Sequence, residues 1–370
     1  MQKRNIAVTL LFALFLYGFF FAFLLSPTRA SSETENRTLA QRPEFSMQAL
    51  FSGSYTDAVD TFLSDQFPLR DWWITIQAGT QYAIGMREFN GVYLCGDRLI
   101  AKMDPPDEKK LEQDISYLNA LTEKTNLPVY LAMIPSAAEI WRDRLPAGAG
   151  SYDQAGFWQN IQAHTNAIPV DVFGALSVHA SEELYYHTDH HWTSLGAYYG
   201  YTALAEAMDF QPIPLSAYQK RVETTEFRGT LYSSSGVRWL KPDTIETYVS
   251  DQGITVQSNF TGTLEPGQLY DRSKLAVKDK YAMFLGGNQP LCILENPTAT
   301  GGTLLVVRDS YFDSEVPFLT QHFSKIVLVD LRYNRASVSD LAESYGADAI
   351  LISYSIPNFC SDNNLIFIGR

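Results

Sequence analysis

The chain has 370 residues, enough for one large domain or two smaller ones, and its hydrophobic fraction of 46% supplies an ordinary globular core. A net charge of −13 without a basic stripe excludes a nucleic-acid surface, because phosphate binding depends on clustered Lys and Arg, and argues against a soluble body held on an anionic membrane. Cys95, Cys292 and Cys360 fall in no CxxC or Cys/His pattern, so no structural metal is expected; one disulfide plus a free thiol is compatible with export, and Cys95 reads as a packing residue at an apolar strand edge.

Lys3 and Arg4 precede an uncharged apolar run over residues 6–25. Twenty residues in a helix match the hydrocarbon core of a bilayer. Positive charge on the N-terminal side predicts a cytoplasmic N-terminus and an exported body. Residues 1–30 are therefore expected to form a single-pass membrane anchor. A cleaved signal peptide is the alternative, with Thr28-Arg29-Ala30 as a loose cleavage site, although a cleavable apolar region usually spans only about 7–15 residues. No other stretch is long and apolar enough to span. Residues 31–89 read as a polar stalk over 31–41 followed by short helical patterns over 47–50 and 55–67.

The stretch from Asn90 to Ile100 predicts a hairpin turning at Gly96-Asp97. From Pro105 helical and strand patterns alternate. Helices are expected over 108–125, 154–167, 194–208, 315–323 and 337–345, and strands over 129–134, 303–307, 325–331 and 348–352. Short apolar runs between helices predict a parallel sheet covered on both faces, an α/β/α sandwich. Residues 211–277 break the rhythm. They are rich in Thr, Ser, Gly and Pro, with alternating pieces at 244–249 and 253–256, and predict an inserted loop-and-strand region walling a cleft.

Two stretches are suited to chemistry. In the first, Tyr185 to Ser194, Asp189, His190 and His191 stand just before a helix that Thr193 or Ser194 can cap. An Asp beside an imidazole fixes its tautomer and stabilises the imidazolium formed on proton uptake, as a general base for a hydroxyl requires. His187, Asp189 and His191 also alternate as zinc ligands on an extended segment would, and a polar loop without chemistry is the third reading. The second stretch, Thr303 to Phe312, is a buried strand running into Asp309-Ser310. A Ser at the C-terminal end of a parallel strand sits where open α/β sheets place ligands, with its N–H able to face a developing oxyanion; a helix N-cap serine is the plain alternative. Gly287 and Asn288, in Phe284-Leu285-Gly286-Gly287-Asn288-Gln289, offer an N–H and an amide for an oxyanion hole, or an ordinary turn. Arg332, after the strand ending near Val329, either binds substrate or closes a structural ion pair.

Together these stretches resemble the DHHW family of bacterial exported proteins, named for Asp189-His190-His191-Trp192. The resemblance also rests on Glu35-Asn36-Arg37, Asp65-Gln66-Phe67-Pro68-Leu69-Arg70, Asn90-Gly91-Val92-Tyr93, Gly229-Thr230-Leu231-Tyr232, Asp309-Ser310-Tyr311 and Asp330-Leu331-Arg332-Tyr333, so it covers most of the exported part. That family is similar to the periplasmic alginate O-acetylation proteins, whose fold is a permuted SGNH hydrolase with an Asp-x-His-Trp segment preceding the nucleophilic Ser. Here Asp189 and His191 precede Ser310 in the same order. The resemblance implies an SGNH-like catalytic domain over residues 90–370, an α/β/α sandwich with a mostly parallel sheet, behind one N-terminal transmembrane helix. It implies Ser310 as nucleophile, His191 as base and Asp189 as its orienting acid; the oxyanion donors do not carry over, so Gly287, Asn288, Tyr311 and Arg332 are candidate oxyanion or substrate contacts on their residue chemistry alone.

The activity it implies is acyl transfer, acetyl in the first place, to hydroxyls of a surface or secreted polysaccharide, with the acyl group delivered by a multi-spanning membrane acyltransferase partner. No cofactor and no metal are expected. A carbohydrate esterase using the same residues and a non-catalytic glycan-binding or assembly protein are the alternatives. The sequence departs from the family pattern at Cys95, where Gly is expected, and at Ser136, near which the alginate relatives often carry Lys.

Overall fold

The computed structural model describes residues 2–32, 34–35 and 37–370; Asn36 of the Glu35-Asn36-Arg37 stretch and the side chain of Lys3 lie outside the described residues. Two compact units result, one of residues up to Phe89 with Ser233–Arg238, the other of Asn90–Tyr232 with Trp239–Arg370.

The N-terminal unit opens with α1 (Gln2–Leu25), followed by α2 (Met47–Ser52), α3 (Ser54–Asp65) and α4 (Arg70–Ala83). Among the described residues α1 alone contains a stretch, Arg4–Leu25, long and apolar enough to cross a membrane. Phe15, Phe19 and Phe23 recur at helical spacing on one side of α1 and meet aromatic rings of α3, α4 and the turn between them. Phe19 stacks on Phe67 with centroids 5.5 Å apart, and Phe23 meets Phe62 at 6.0 Å. Trp73 lies 6.4 Å from Phe15 and 5.6 Å from Phe19.

The stalk expected over 31–41 is instead tied down. Arg37 forks onto Asp65 at 2.5 and 2.9 Å, and the Ala40 N–H donates to the same carboxylate at 2.8 Å. The Gln66 amide exchanges two bonds of 2.9 Å with the backbone of Arg29, and Arg70 pairs with Glu35. The hydrogen bond from Arg37 holds the Asp65 carboxyl below its usual range against the cost of burial. Polar composition suggested a free stalk because partners 28 positions apart leave no local signature.

The larger unit is built from α5 (Glu108–Lys124), β1 (Val129–Ile134), α6 (Gln154–His164), β2 (Ile168–Val170), α7 (Ser194–Ala207), β3 (Thr255–Ser258), β4 (Glu265–Pro266), β5 (Leu291–Glu295), β6 (Gly301–Arg308), β7 (Phe323–Val329), α8 (Val338–Tyr345) and β8 (Ala349–Ser355). Its eight strands run in the order β4-β3-β5-β7-β6-β8-β1-β2. The last five are parallel, while β5, β3 and β4 each pair antiparallel. Strands buried on both faces read as continuous apolar runs, because successive residues feed opposite layers. Leu304, Val306, Ile326, Leu328 and Leu351 pack with Ala197, Tyr201 and Leu204 of α7. Leu305, Val307, Val327, Ile350 and Ile352 pack on the other side with Leu118 of α5, Ile161 of α6 and Ala342 of α8. The fold is the expected α/β/α sandwich.

Two details differ from expectation. The helix expected over 315–323 reduces to a 3-10 turn, Ser310–Ser314, and one helical turn, Val316–Leu319. Residues 311–320 are all buried, so no exposed face survives to sustain an amphipathic pattern. Part of the 211–277 insertion, β3 and β4, extends the sheet at its antiparallel edge, while Arg221–Phe227 and Asp243–Thr247 pair with each other. All three cysteines are free, and burial pushes the Cys95 thiol up to about 11.

Candidate active site

At the end of β6 the chain turns at Asp309 into the short 3-10 helix that begins with Ser310. The Asp309 carboxylate makes this turn. One oxygen accepts the Tyr311 N–H at 3.0 Å. The other accepts the Ser355 N–H at 2.9 Å, the Ser355 hydroxyl at 2.7 Å and the Asn358 amide at 2.8 Å. The end of β6 is thereby fixed to the end of β8, and Ser310 is left partly exposed at the C-terminal edge of the parallel strands. Its N–H opens the turn and so lacks an intrahelical acceptor.

Behind this turn Arg308 is fully buried, with Nη1 3.2 Å from Asp313 Oδ1 and 3.7 Å from Asp330 Oδ2. Arg332 forks onto Asp330 at 2.9 and 2.6 Å, so of its two readings the structural ion pair is the one seen. Burial pushes the Asp313 carboxyl up to about 7, against the pull of Arg308.

The second half of the site is the loop before α7. Tyr185 and Trp192 bridge across it, and the Thr193 hydroxyl caps α7 by accepting the Gly196 N–H at 3.2 Å. The buried Trp192 indole donates to the Tyr311 carbonyl at 2.8 Å, and the Tyr311 hydroxyl donates to the His190 carbonyl. These two bonds cross-link the loop to the Ser310 turn.

Between them stands His191. Its Nδ1 is 2.6 Å from Asp189 Oδ1 and its Nε2 is 2.8 Å from Ser310 Oγ. An ionised carboxylate only accepts, so the proton sits on Nδ1 and Nε2 is left to accept from the hydroxyl. Asp189 is nearly buried and also accepts the His191 N–H at 3.0 Å. Its other oxygen accepts the Thr230 N–H at 2.7 Å and the Thr230 hydroxyl at 3.0 Å. Burial opposes its charge, but the neighbouring imidazoles and these donors outweigh that and hold the carboxyl well below the usual range. Gly229 allows the approach: a Cβ there would fall 2.2 Å from the Asp189 carboxylate. His190 turns away to the Thr230 hydroxyl at 2.7 Å, and desolvation followed by the charge of His191 pushes its imidazole down to about 4.

Tyr281 completes the enclosure. Its ring lies flat on His191, 3.9 Å between centroids and 12° between planes, and its hydroxyl donates to the Ser310 carbonyl at 3.1 Å. Sequence reasoning missed both Tyr281 and the role of Thr230. Thr230 at least stood in a stretch shared with the family, whereas Tyr281 lies in an irregular segment with no pattern around it.

Ser310, His191 and Asp189 are thus brought together. Tyr311 is a buried brace whose N–H and hydroxyl are both engaged. The Gly287 N–H donates to the Phe284 carbonyl at 3.2 Å in a turn where Leu285, Gly286 and Gly287 have φ of 59°, 82° and 105°. Asn288 is exposed, and among the described residues neither it nor Gly287 is hydrogen-bonded to the Ser310 turn. His187 leaves the site: its ring bonds Glu183 at 2.8 Å and its N–H bonds Asp243 at 2.7 Å, so the alternating zinc set does not converge. Asp189, His190 and His191 are the described residues that could hold a metal, but the shared oxygen of Asp189 and both ring nitrogens of His191 are engaged as above.

The DHHW protein family model matches residues 35–126 and 115–329. The chain belongs to the DHHW family. This DHHW protein is similar in structure to a DHHW family protein from Eubacterium siraeum, at 25% identity over 76% of this chain and 95% of that one, with a TM-score of 0.65. It is similar in fold to Bacillus cereus PatB1, solved with a sulfonyl adduct, at 20% identity over 75% of this chain and 97% of that one, with a TM-score of 0.62. The O-acetyltransferase domain of Pseudomonas putida AlgJ is more distant, at 14% identity over 74% and 94% of the two chains and a TM-score of 0.45. None of the curated proteins matches. The fold this DHHW protein shares with the Eubacterium siraeum protein and PatB1 is the α/β/α sandwich described above.

Proposed function

We propose that this DHHW protein is a membrane-anchored, extracytoplasmic O-acyltransferase that moves an acyl group, acetyl in the first place, onto hydroxyls of a surface or secreted polysaccharide. The observation that supports it best is His191 hydrogen-bonded to Asp189 on one side and to Ser310 on the other, at 2.6 and 2.8 Å. Ser310 Oγ attacks the donor's acyl carbon while His191 Nε2 takes its proton, and Asp189 stabilises the imidazolium. The tetrahedral oxyanion is met by the Ser310 N–H. Its collapse expels the donor's leaving group, which takes the proton from His191, and leaves acyl-Ser310. A sugar hydroxyl then gives its proton to His191 and attacks the acyl carbon, and as the acyl bond to Ser310 breaks, its Oγ takes that proton back from His191. In this reading α1 is the anchor, with a cytoplasmic N-terminus, and a multi-spanning membrane acyltransferase partner presents the acyl donor.

The sulfonyl adduct of PatB1, a protein of like fold, suggests the probe. The full chain in lipid nanodiscs is treated with a sulfonyl fluoride and digested for mass spectrometry. A mass increment on Ser310, lost in Ser310→Ala and strongly slowed in His191→Ala, is expected. Modification elsewhere, or none, overturns the scheme. Water in place of the sugar makes the same residues an esterase. With an activated acetyl ester and an acceptor oligosaccharide, acetylated sugar is expected, and free acetate alone would assign hydrolysis.

A further inference from the structure

The N-terminal unit carries an apolar face that its own packing does not use. Leu69, Trp72 and Ile76 are 67%, 57% and 38% exposed. Trp72 and Ile76 are four residues apart on one side of α4, with Leu69 at its N-terminal end on the same side. The opposite side of α4 is the packed one: Ala78 is buried, and Ile74 abuts Gly236 so closely that a Cβ there would meet its side chain at 2.6 Å. The short helix α2 in the same unit buries no residue and exposes Met47, Leu50 and Phe51. A water-facing surface seldom gathers so many large apolar side chains without a partner.

The exposed face is continuous with α1. Trp73 lies beside Trp72, 5.2 Å between ring centroids, and turns onto Phe15 and Phe19. Phe67, just before Leu69, stacks on Phe19. Phe15, Phe19 and Phe23 stand ten, six and two residues before Leu25, the end of α1. At about 1.5 Å per residue they lie roughly 15, 9 and 3 Å below that end. When α1 spans a bilayer, Phe67 and Trp73 share the two deeper levels, inside a hydrocarbon core about 30 Å thick, and Phe62 stands near its edge. A protein surface at that level faces acyl chains. Its polar groups must then be paired among themselves, and at the junction of α3 and α4 Asp65, Gln66 and Arg37 are paired in this way.

We infer that the face of α4 bearing Leu69, Trp72 and Ile76 lies against lipid acyl chains in the leaflet at the C-terminal end of α1. The inference rests on the reading of α1 as an uncleaved anchor. It makes the unit a monotopic wedge around a single span, and the occupant of the apolar face is the bilayer.

Nitroxide labels at Trp72→Cys and Ile76→Cys, in the full chain with Cys360→Ser and reconstituted in phosphatidylcholine vesicles, test this. Collision with lipid-soluble oxygen and with a water-soluble nickel chelate is read by electron paramagnetic resonance. Leu14→Cys, on the exposed side of α1, reports the anchor, and Glu343→Cys on α8 reports water. The expected result is an oxygen-to-nickel ratio at positions 72 and 76 close to that at 14 and far above that at 343. Nickel access at 72 and 76 with lipid access at 14 overturns the inference and leaves the anchor standing. Access to neither reagent shows a protein covering the face and overturns it as well. Nickel access at 14 removes the anchor reading and the inference with it.

Discussion

Asp189 accepts two hydrogen bonds from His191 and two from Thr230, and the quality of the proposed base depends on that balance. A hydrogen bond to a charged group contributes about 1.5–3 kcal/mol. Thr230→Val removes the hydroxyl donor and keeps the backbone one, so Ser310 labelling is expected to slow by about 10- to 100-fold in protein that is still folded at the assay temperature; unchanged labelling would show that the backbone donor suffices. Asp313, three residues beyond Ser310, has the opposite electrostatics. Its carboxyl titrates near 3.9 in an unfolded chain, to about a unit, and is pushed up to about 7 here. Between these values the folded state holds a proton that the unfolded state has released, so stability falls as pH rises through the window. Asp313→Asn removes the titrating group, and thermal melts from pH 4 to 8 are expected to lose that decline. The Asp189-His190-His191-Trp192 string was readable at this scale because an acid and its imidazole lie two positions apart. Thr230 and Tyr281 were not, since only the folded chain brings Thr230 to Asp189 and Tyr281 to His191.

α7 shows what an element contributes. Its N-terminus fixes the loop that carries His191, and Thr193 serves both: its side chain accepts the Gly196 N–H and donates to the Glu183 carbonyl at 2.8 Å. Thr193→Ala is expected to cost about 1 kcal/mol of stability, read as a lower urea midpoint with an unchanged slope. β1 was readable with its observed bounds because a strand buried on both faces is a continuous apolar run. β2 escaped notice: it has three residues, one of them Pro169, and only one of the three is buried. β5 is apolar enough, but it follows Gly-rich and Pro-containing turns and pairs antiparallel, outside the alternation of helix and strand that organised the reading.

At the scale of the molecule, an apolar N-terminal run and an alternating α/β body were both apparent from composition and periodicity. The fastening of residues 29–41 to the ends of α3 and α4 was not, because Arg37 with Asp65 and Arg29 with Gln66 are long-range pairings. The lipid exposure argued for Leu69, Trp72 and Ile76 belongs to this scale, since it depends on the depth that α1 sets.

The bond between His191 and Ser310 closes a loop of 119 positions along the chain. Synthesis delivers the two halves one after the other, and in the proposed scheme the hydroxyl stays an ordinary, unactivated alcohol until β6 has found its place between β7 and β8. Under that scheme a nascent or misfolded copy consumes no donor, and the number of serines that react with a covalent probe becomes a census of completed molecules.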